Sequence, residues 1–335
     1  MLRVKVAGTG AYLPERIVTN DEVAKWLDTS DEWIFSHSGI HARHWAAPDE
    51  SSSTLGTKAA QQALEAAGAK PEEIGMIFCA TSSPDYSTFP ATGSLIQSAL
   101  GCNNAGAFDL SAACSGFIYA LELGRCWVMA HPGQKALIVG CEVMTRTVDW
   151  NDRTVSILFG DGAGAVVLEA AEAPEGVQPY YSLHGSDGTG RQAIVREGGS
   201  RVEPPKVPVG EVAMQPVGFM KMNGRTVFNF AVKKLDEIIK TLCEQAGLKP
   251  EDLTRVYAHQ ANARILEAVA KRAGLPIEKF FMSIAETGNM STASVPFILD
   301  KAVRAGELKD GDLIALSAFG AGLSWGGALT AWPWL

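Results

Sequence analysis

The sequence lacks several features that mark whole classes of protein. Its six cysteines, Cys79, Cys102, Cys114, Cys126, Cys141 and Cys243, include no pair in C-x-x-C spacing. Neither a zinc site nor a thioredoxin-type motif is indicated, and no metal is expected. Positive charge is not in excess: 29 basic side chains stand against 37 acidic ones, a net charge of −8. Non-specific nucleic-acid binding is therefore not expected. Met1-Leu2-Arg3-Val4-Lys5 runs directly into a strand pattern, without the apolar core of a signal peptide. The most apolar helical stretch, Phe117 to Ala130, carries Glu122 and Arg125 near its middle. It reads as a buried core helix rather than a membrane span. Gly8-Thr9-Gly10, read as the end of a first strand, starts like a dinucleotide fingerprint. The third glycine is missing, however, and Pro14 stands where the helix should run. These absences predict a cytoplasmic, reducing-compartment protein with no membrane or nucleic-acid partner.

What is present centres on Asp109 to Phe117, Asp-Leu-Ser-Ala-Ala-Cys-Ser-Gly-Phe. A short apolar run precedes it and the long apolar stretch follows, with small residues at the junction. The pattern predicts a strand, a sharp elbow and a buried helix, with Cys114 at the helix start. Unpaired N–H groups and the helix dipole favour negative charge there, so a thiol pKa below the usual range is expected. Such a thiol is a candidate nucleophile. The alternative is a small buried cysteine at a tight packing point.

Elsewhere the chain predicts a helix from Asp21 to Leu27 capped by Asn20, and a capped helix start at Thr29-Ser30-Asp31-Glu32-Trp33. An alanine-rich helix is expected from Ser51 to Ala67, then a strand from Gly75 to Ala80. A proline-containing loop from Ser82 to Pro90, a helix to about Leu100 and a buried strand from Lys135 to Cys141 follow. Val155 to Leu168 reads as two strands joined by a glycine turn. His184 to Gly224, rich in Gly and Pro, reads as a long surface excursion.

With 335 residues, the chain suits two domains or one duplicated unit. Two internal echoes favour duplication. A helix end, a Lys-Pro-acidic turn and an apolar strand occur around Lys70-Pro71 and again around Lys249-Pro250. Phe159-Gly160-Asp161-Gly162-Ala163-Gly164 is echoed by Phe319-Gly320-Ala321-Gly322. The reading is two halves, 1–172 and 173–335, with the nucleophile candidate in the first.

In the second half, Tyr257-Ala258-His259-Gln260-Ala261-Asn262 ends a strand and opens a helix. His259 suits hydrogen-bond or proton chemistry near neutral pH, or is a satisfied core histidine. Asn289, in Gly288-Asn289-Met290-Ser291, is a site candidate or a turn residue. A duplicated fold would bring these junctions together with Cys114.

These motifs carry a resemblance over nearly the whole chain. Asp31-Glu32-Trp33-Ile34, Ser111-Ala112-Ala113-Cys114-Ser115-Gly116-Phe117, the two Phe-Gly motifs, His259-Gln260-Ala261-Asn262 and Gly288-Asn289-Met290-Ser291 stand in one order. The chain resembles the beta-ketoacyl-acyl carrier protein synthases III. The resemblance implies an α/β, thiolase-like fold of two duplicated halves, layered α-β-α-β-α around buried central helices. It implies an acyltransferase that initiates fatty-acid synthesis. Cys114 would accept an acyl group from acyl-CoA, and the Cys114 and Ala321 backbone N–H groups would form the oxyanion hole. His259 and Asn289 would hold the enolate formed as malonyl-acyl carrier protein loses CO2. No resident cofactor is implied, because CoA arrives as substrate, and no strong base or carboxylate is needed for carbanion formation.

The resemblance further implies that Trp33 and Arg153 sandwich the CoA adenine. Arg264, Lys271 and Arg272 would dock the acidic carrier protein, and Phe89 would reach across a homodimer to cap the partner's acyl pocket. The chain departs from the family pattern at His37, where an arginine is usual near the CoA entrance. Related enzymes differ in readable ways. A thiolase would carry a second cysteine near its C-terminal glycine loop, and no cysteine follows Cys243. Relatives that use a glutamate would carry it between Ser82 and Phe89, where Asp85 is the sole acid. A starter-unit enzyme of polyketide or secondary metabolism is the alternative reading, and the intact Cys114, His259 and Asn289 argue against a silent partner subunit.

Overall fold

Every large element of the molecule packs against one of two sheets that repeat the same strand order. The computed structural model describes residues 1–198 and 218–335. The first part of the chain supplies β1 (Leu2–Tyr12), β2 (Arg16–Thr19), α1 (Asn20–Val23), α2 (Asp31–Ser38), β3 (Ala42–Trp45), α3 (Ser52–Ala67), β4 (Ile74–Ala80), α4 (Thr92–Leu100), β5 (Gly106–Leu110), α5 (Gly116–Ala130), β6 (Lys135–Val143), α6 (Arg153–Ser156) and β7 (Asp161–Glu172). The rest supplies β8 (Tyr181–Ser186), β9 (Ile194–Arg196), β10 (Met220–Met222), α7 (Gly224–Gln245), β11 (Arg255–Ala258), α8 (Ala263–Ala273), α9 (Ile284–Thr287), α10 (Ser294–Arg304), β12 (Leu313–Gly320) and β13 (Ser324–Ala331).

The first sheet runs β1-β7-β6-β4-β5 and the second β8-β13-β12-β11. In each, the outer two pairings are antiparallel and the next is parallel. Where the first sheet adds β5, the second adds a single parallel bridge from Val256 to Phe280. Helices α5 and α10 lie between the sheets. α5 touches β4, β6 and β7 on one side and β12 and β13 on the other. That explains its nearly continuous apolar sequence: a helix packed on two faces has little face left for water. Ile118, Ala120, Leu121 and Val128 are all buried there. α3 covers the outside of the first sheet, and α7 with α8 the outside of the second. No described helix is long and apolar enough to cross a membrane.

The Lys-Pro-acidic repeat holds at the level of single hydrogen bonds. Pro71–Glu73 and Pro250–Asp252 each form one helical turn. The Glu73 carboxylate accepts the Lys70 N–H at 2.7 Å, and Asp252 accepts the Lys249 N–H at 2.8 Å. Each turn feeds a strand, β4 or β11. The second echo holds for the strand each motif leads into, β7 or β13, which stand second in their sheets, but not residue by residue. Phe159 and Gly160 precede β7, whereas Phe319 and Gly320 end β12.

Several local expectations change. β1 does not stop at Gly8-Thr9-Gly10 but continues to Tyr12. A Cβ on Gly10 would lie 2.2 Å from the Ala59 carbonyl oxygen, so the glycines admit α3 rather than turn the chain. Val155 to Leu168 is a short helix and one strand, not a hairpin. Gly164 lies inside β7, where a Cβ would meet the Phe297 nitrogen at 2.5 Å. Close approach of α10 demands glycine, and a pattern search reads the same glycine as a turn. The N-cap of α1 is Thr19. Asn20 is buried and donates to Asp31 and to the Ile40 carbonyl instead. Of the 184–224 excursion, residues 199–217 lie outside the described residues. Its described ends form the antiparallel β9–β10 pair.

Candidate active site

Cys114, His259, Asn289 and Ala321 line one cavity of about 460 Å³ between the two halves of the fold. Its walls are largely apolar, with Met144, Ile157, Leu158, Phe159, Ile194, Met220 and Met222 among them. Trp33 and His37 also line it.

Cys114 stands in a single helical turn, Ala113–Ser115, between β5 and α5. Ala113 takes φ 46°, a left-handed conformation that non-glycine residues adopt at a cost. That kink turns the chain from strand to helix. The expectation of a lowered thiol pKa is reversed. Burial pushes the Cys114 thiol up to about 12; the Ser291 hydroxyl opposes this and the Glu142 carboxylate adds to it. The N–H groups at the start of α5 are engaged elsewhere. Ser115 donates to the Ala112 carbonyl at 3.2 Å, Gly116 to that of Ala113, and Phe117 to Thr292 Oγ1 at 2.7 Å.

The N–H groups of Cys114 and Ala321 differ from these: neither donates to another described residue. Gly320 brings the two chain segments together. A Cβ there would sit 2.7 Å from the Cys114 nitrogen. Two free donors beside a thiol are the elements of an oxyanion hole.

His259 is buried at the end of β11, and burial alone drives its pKa down to about 3. The imidazole is therefore neutral. Nδ1 lies 2.8 Å from Ser294 Oγ, and Phe319 packs edge-on at 5.5 Å between ring centroids. The Ser291 carbonyl already accepts the Ser294 N–H. The Ser294 hydroxyl donates to the same carbonyl at 2.9 Å and accepts the Gln260 N–H at 3.4 Å. Asn289 is fixed more tightly. Its Oδ1 accepts the Ser291 N–H at 2.8 Å, which leaves the amide NH2 group as donor. Its own N–H and carbonyl bond Leu158 and Gly160 at 2.8 and 3.1 Å.

Trp33 and Arg153 are together but closed upon each other. The guanidinium carbon lies 4.9 Å from the indole centroid, and Arg153 Nη1 donates to the Asp28 carbonyl. His37 stacks on the same indole at 4.3 Å. Arg264 and Lys271 edge a shallow depression that shares His37 with the main cavity. Arg272 does not join them. It donates from Nε to the buried Asp236 carboxylate at 2.7 Å and ties α8 to α7. Phe89 is 80% exposed and stands outside its own chain's cavity lining. Asp85 accepts from Ser51, from the Ser53 N–H and from the Ser53 hydroxyl, and belongs to the start of α3.

Glu142, Ser291 and Ser294 were not singled out by sequence. Glu142 is a fully buried acid at the end of β6. It accepts from the Ser82 N–H, the Ser83 hydroxyl and the Thr81 hydroxyl. A lone carboxylate inside the run Leu137 to Val143 was its one readable signal.

The comparisons agree with this geometry. The family description "3-oxoacyl-[acyl-carrier-protein] synthase III" matches residues 108–188, and its C-terminal counterpart matches residues 243–332. A beta-ketoacyl-[acyl-carrier-protein] synthase III of Erythrobacter litoralis is 44% identical over 331 residues, covering 98% of this chain and 99% of that one. The solved synthase III of Thermus thermophilus superposes with TM-score 0.87 at 40% identity, covering 98% and 99% of the two chains. The priming beta-ketosynthase of the R1128 polyketide pathway gives TM-score 0.88 at 38% identity over 98% and 96%. The chain belongs to the beta-ketoacyl-[acyl-carrier-protein] synthase III family of condensing acyltransferases, and shares its thiolase-like fold.

Proposed function

We propose that this protein condenses a short acyl-CoA with malonyl-acyl carrier protein, losing CO2, through an acyl group held on Cys114. The observation that carries this is one cavity holding a thiol, two free backbone donors, a neutral imidazole and an oriented amide. In the first step Cys114 Sγ attacks the thioester carbon. The oxyanion forms against the Cys114 and Ala321 N–H groups, and CoA leaves as the thiol. In the second step the malonyl thioester loses CO2. The resulting enolate oxygen accepts hydrogen bonds from His259 Nε2–H and the Asn289 amide. Its carbon then attacks acyl-Cys114, the carbon–sulfur bond breaks, and the released thiolate takes a proton from solvent, leaving a ketoacyl chain two carbons longer. A neutral histidine suits this role, because it donates without holding a full charge.

Other assignments follow the same reading. A CoA adenine would enter between Trp33 and Arg153 by displacing the contact they make with each other. Arg264 and Lys271 have no carboxylate partner among the described residues and suit an acidic carrier protein; Arg272 would act indirectly, by fixing α8. β5 is a sheet edge with Phe108 partly exposed, and edges of this kind pair readily. A second copy pairing there would form the homodimer and bring Phe89 toward its partner. Six free thiols fit a reducing cytoplasm. Relatives 44% identical along the whole chain favour the synthase III reading over polyketide priming.

The test is intact mass after mixing with acetyl-CoA and longer acyl-CoAs, beside Cys114→Ala. A gain equal to the acyl group, absent in the variant, is expected. No gain from any acyl-CoA or acyl carrier protein thioester would overturn the proposal.

A further inference from the structure

The two free N–H groups beside the thiol come from opposite halves of the chain, and their spacing has to be held. Cys114 sits on the single turn Ala113–Ser115, and Ala321 sits in the bend between β12 and β13. Gly320 lets the two segments approach, since a Cβ there would lie 2.7 Å from the Cys114 nitrogen. Contact alone does not fix the direction in which an N–H points. Among the described residues, no backbone–backbone hydrogen bond joins the two segments. The hydrogen bonds between them all pass through one hydroxyl, that of Ser324.

Ser324 opens β13, where its backbone is paired with Gly320 of β12 and Ser186 of β8. Its Oγ lies 2.8 Å from Ser115 Oγ, 3.0 Å from the Ala112 carbonyl oxygen and 3.0 Å from that of Ala321. Ser115 Oγ lies 2.7 Å from the same Ala112 oxygen. Both serines are buried, so water competes little for these bonds. Two hydroxyl protons serve the cluster. One lies between the two hydroxyl oxygens, and the other goes to the Ala112 or the Ala321 carbonyl. Every such arrangement ties the Cys114 segment to the Ala321 bend. The carbonyls are well placed for this. That of Ala112 belongs to the peptide just before the one that carries the Cys114 N–H. That of Ala321 belongs to the peptide just after the one that carries the Ala321 N–H.

We propose that Ser115 and Ser324 are positioning residues for acyl transfer: their paired hydroxyls hold the Cys114 and Ala321 N–H groups at the spacing that receives the oxyanion. This rests on the acyl-transfer reading. Neither serine lines the cavity, so neither reaches the acyl group itself. They act through backbone donors whose partner exists only while the tetrahedral intermediate lasts. Donors arranged in advance need no reorganisation as charge develops. A shift of about 1 Å in one of them is costly, by roughly a hundredfold.

Two reactions of the same thiol separate this role from plain packing. Acyl loading from acetyl-CoA places charge on the thioester oxygen. Alkylation of Cys114 by iodoacetamide displaces iodide and forms no oxyanion. Loading is followed by intact mass over a range of acetyl-CoA concentrations and alkylation by peptide mass, and thermal unfolding confirms that each variant is folded. Ser324→Ala should slow loading at saturating acetyl-CoA by roughly tenfold to a hundredfold, with the half-saturating concentration and the alkylation rate within about twofold of wild type. Ser115→Ala leaves Ser324 within reach of the Ala112 carbonyl and should cost less. Ser324→Thr keeps the hydroxyl and should recover most of the loading rate. Unchanged loading in folded Ser324→Ala overturns the proposal. So does an equal fall in loading and alkylation, which would place the effect on the thiol rather than on the donors. If Ser324→Ala does not fold, Ser115→Ala decides: slower loading with unchanged alkylation is expected, and unchanged loading overturns the proposal. A wild type that takes no acyl group overturns the acyl-transfer reading and this assignment together. A wild type that loads, beside variants that load equally well, overturns the assignment alone.

Discussion

The two halves of the molecule make the same elbow and put different chemistry on it. Ala113 and Ser291 both take φ 46°, both open a single helical turn, and both lead into a helix buried between the sheets. In the first half the next residue is Cys114; in the second it is Thr292. One elbow presents a nucleophile. The other presents hydroxyls that support it: Thr292 Oγ1 accepts the Phe117 N–H at 2.7 Å, and the Ser291 hydroxyl opposes the rise of the thiol pKa. The two halves share one frame, and different side chains at matching positions divide the labour between them.

The comparison breaks most completely at the first elbow. Cys114→Ala should abolish covalent loading and reduce condensation by at least about a thousandfold, since no acyl-enzyme forms. Coupled product assays beside intact mass would show this. Condensation kept in the variant would mean that the elbow holds a packing residue. Asn289→Ala tests the second half's direct share. Its amide is oriented by Ser291, so its loss should cost roughly 10² to 10³ in kcat, as for one oxyanion donor. Acyl loading should be nearly unchanged. Equal loss of both steps would assign Asn289 to scaffold rather than to enolate.

His259 marks the asymmetry in a different quantity. Its folded pKa, about 3, lies below the ordinary value of 6.5. The unfolded chain therefore binds the extra proton first, and this group's contribution to stability falls as pH drops from 6.5 toward 3. The slope is about 1.4 kcal/mol per pH unit. Urea unfolding at pH 7 and pH 5 should show about 2 kcal/mol more acid destabilisation in wild type than in His259→Asn. Equal losses would place a charged imidazole in the folded state.

How far this asymmetry was legible depends on the range of the interaction. The strand, elbow and helix around Cys114 were readable because apolar run lengths and small residues are local signals. So were the Lys-Pro-acidic turns, whose hydrogen bonds close within three residues. Helical spacing reports the face that Arg272 shares with Arg264 and Lys271 but not its partner Asp236, which comes from α7. The glycines at 162 and 164 looked like a turn because their neighbours, Met290 and Phe297, are far away in sequence. Glu142 matters through Ser82 and Ser83, some sixty residues away, which reach it only once the fold is formed.

The smallest expected effect probes the contact that joins the two elbows. Thr292 is buried, and its hydroxyl oxygen is the partner given to the Phe117 N–H at the start of α5. Thr292→Val keeps the shape and removes that acceptor. A buried N–H without a partner costs about 1 to 3 kcal/mol, so the urea midpoint should fall accordingly. The freed N–H also returns a donor to the start of α5, three residues after Cys114. Alkylation of Cys114 should then rise severalfold, because an unpaired helix N–H favours a nearby thiolate. Lower stability with a faster thiol would show that the second elbow holds the first in shape by occupying its helix terminus. Lower stability with no change at Cys114 would confine Thr292 to packing and leave the thiol's environment to Glu142 and Ser291.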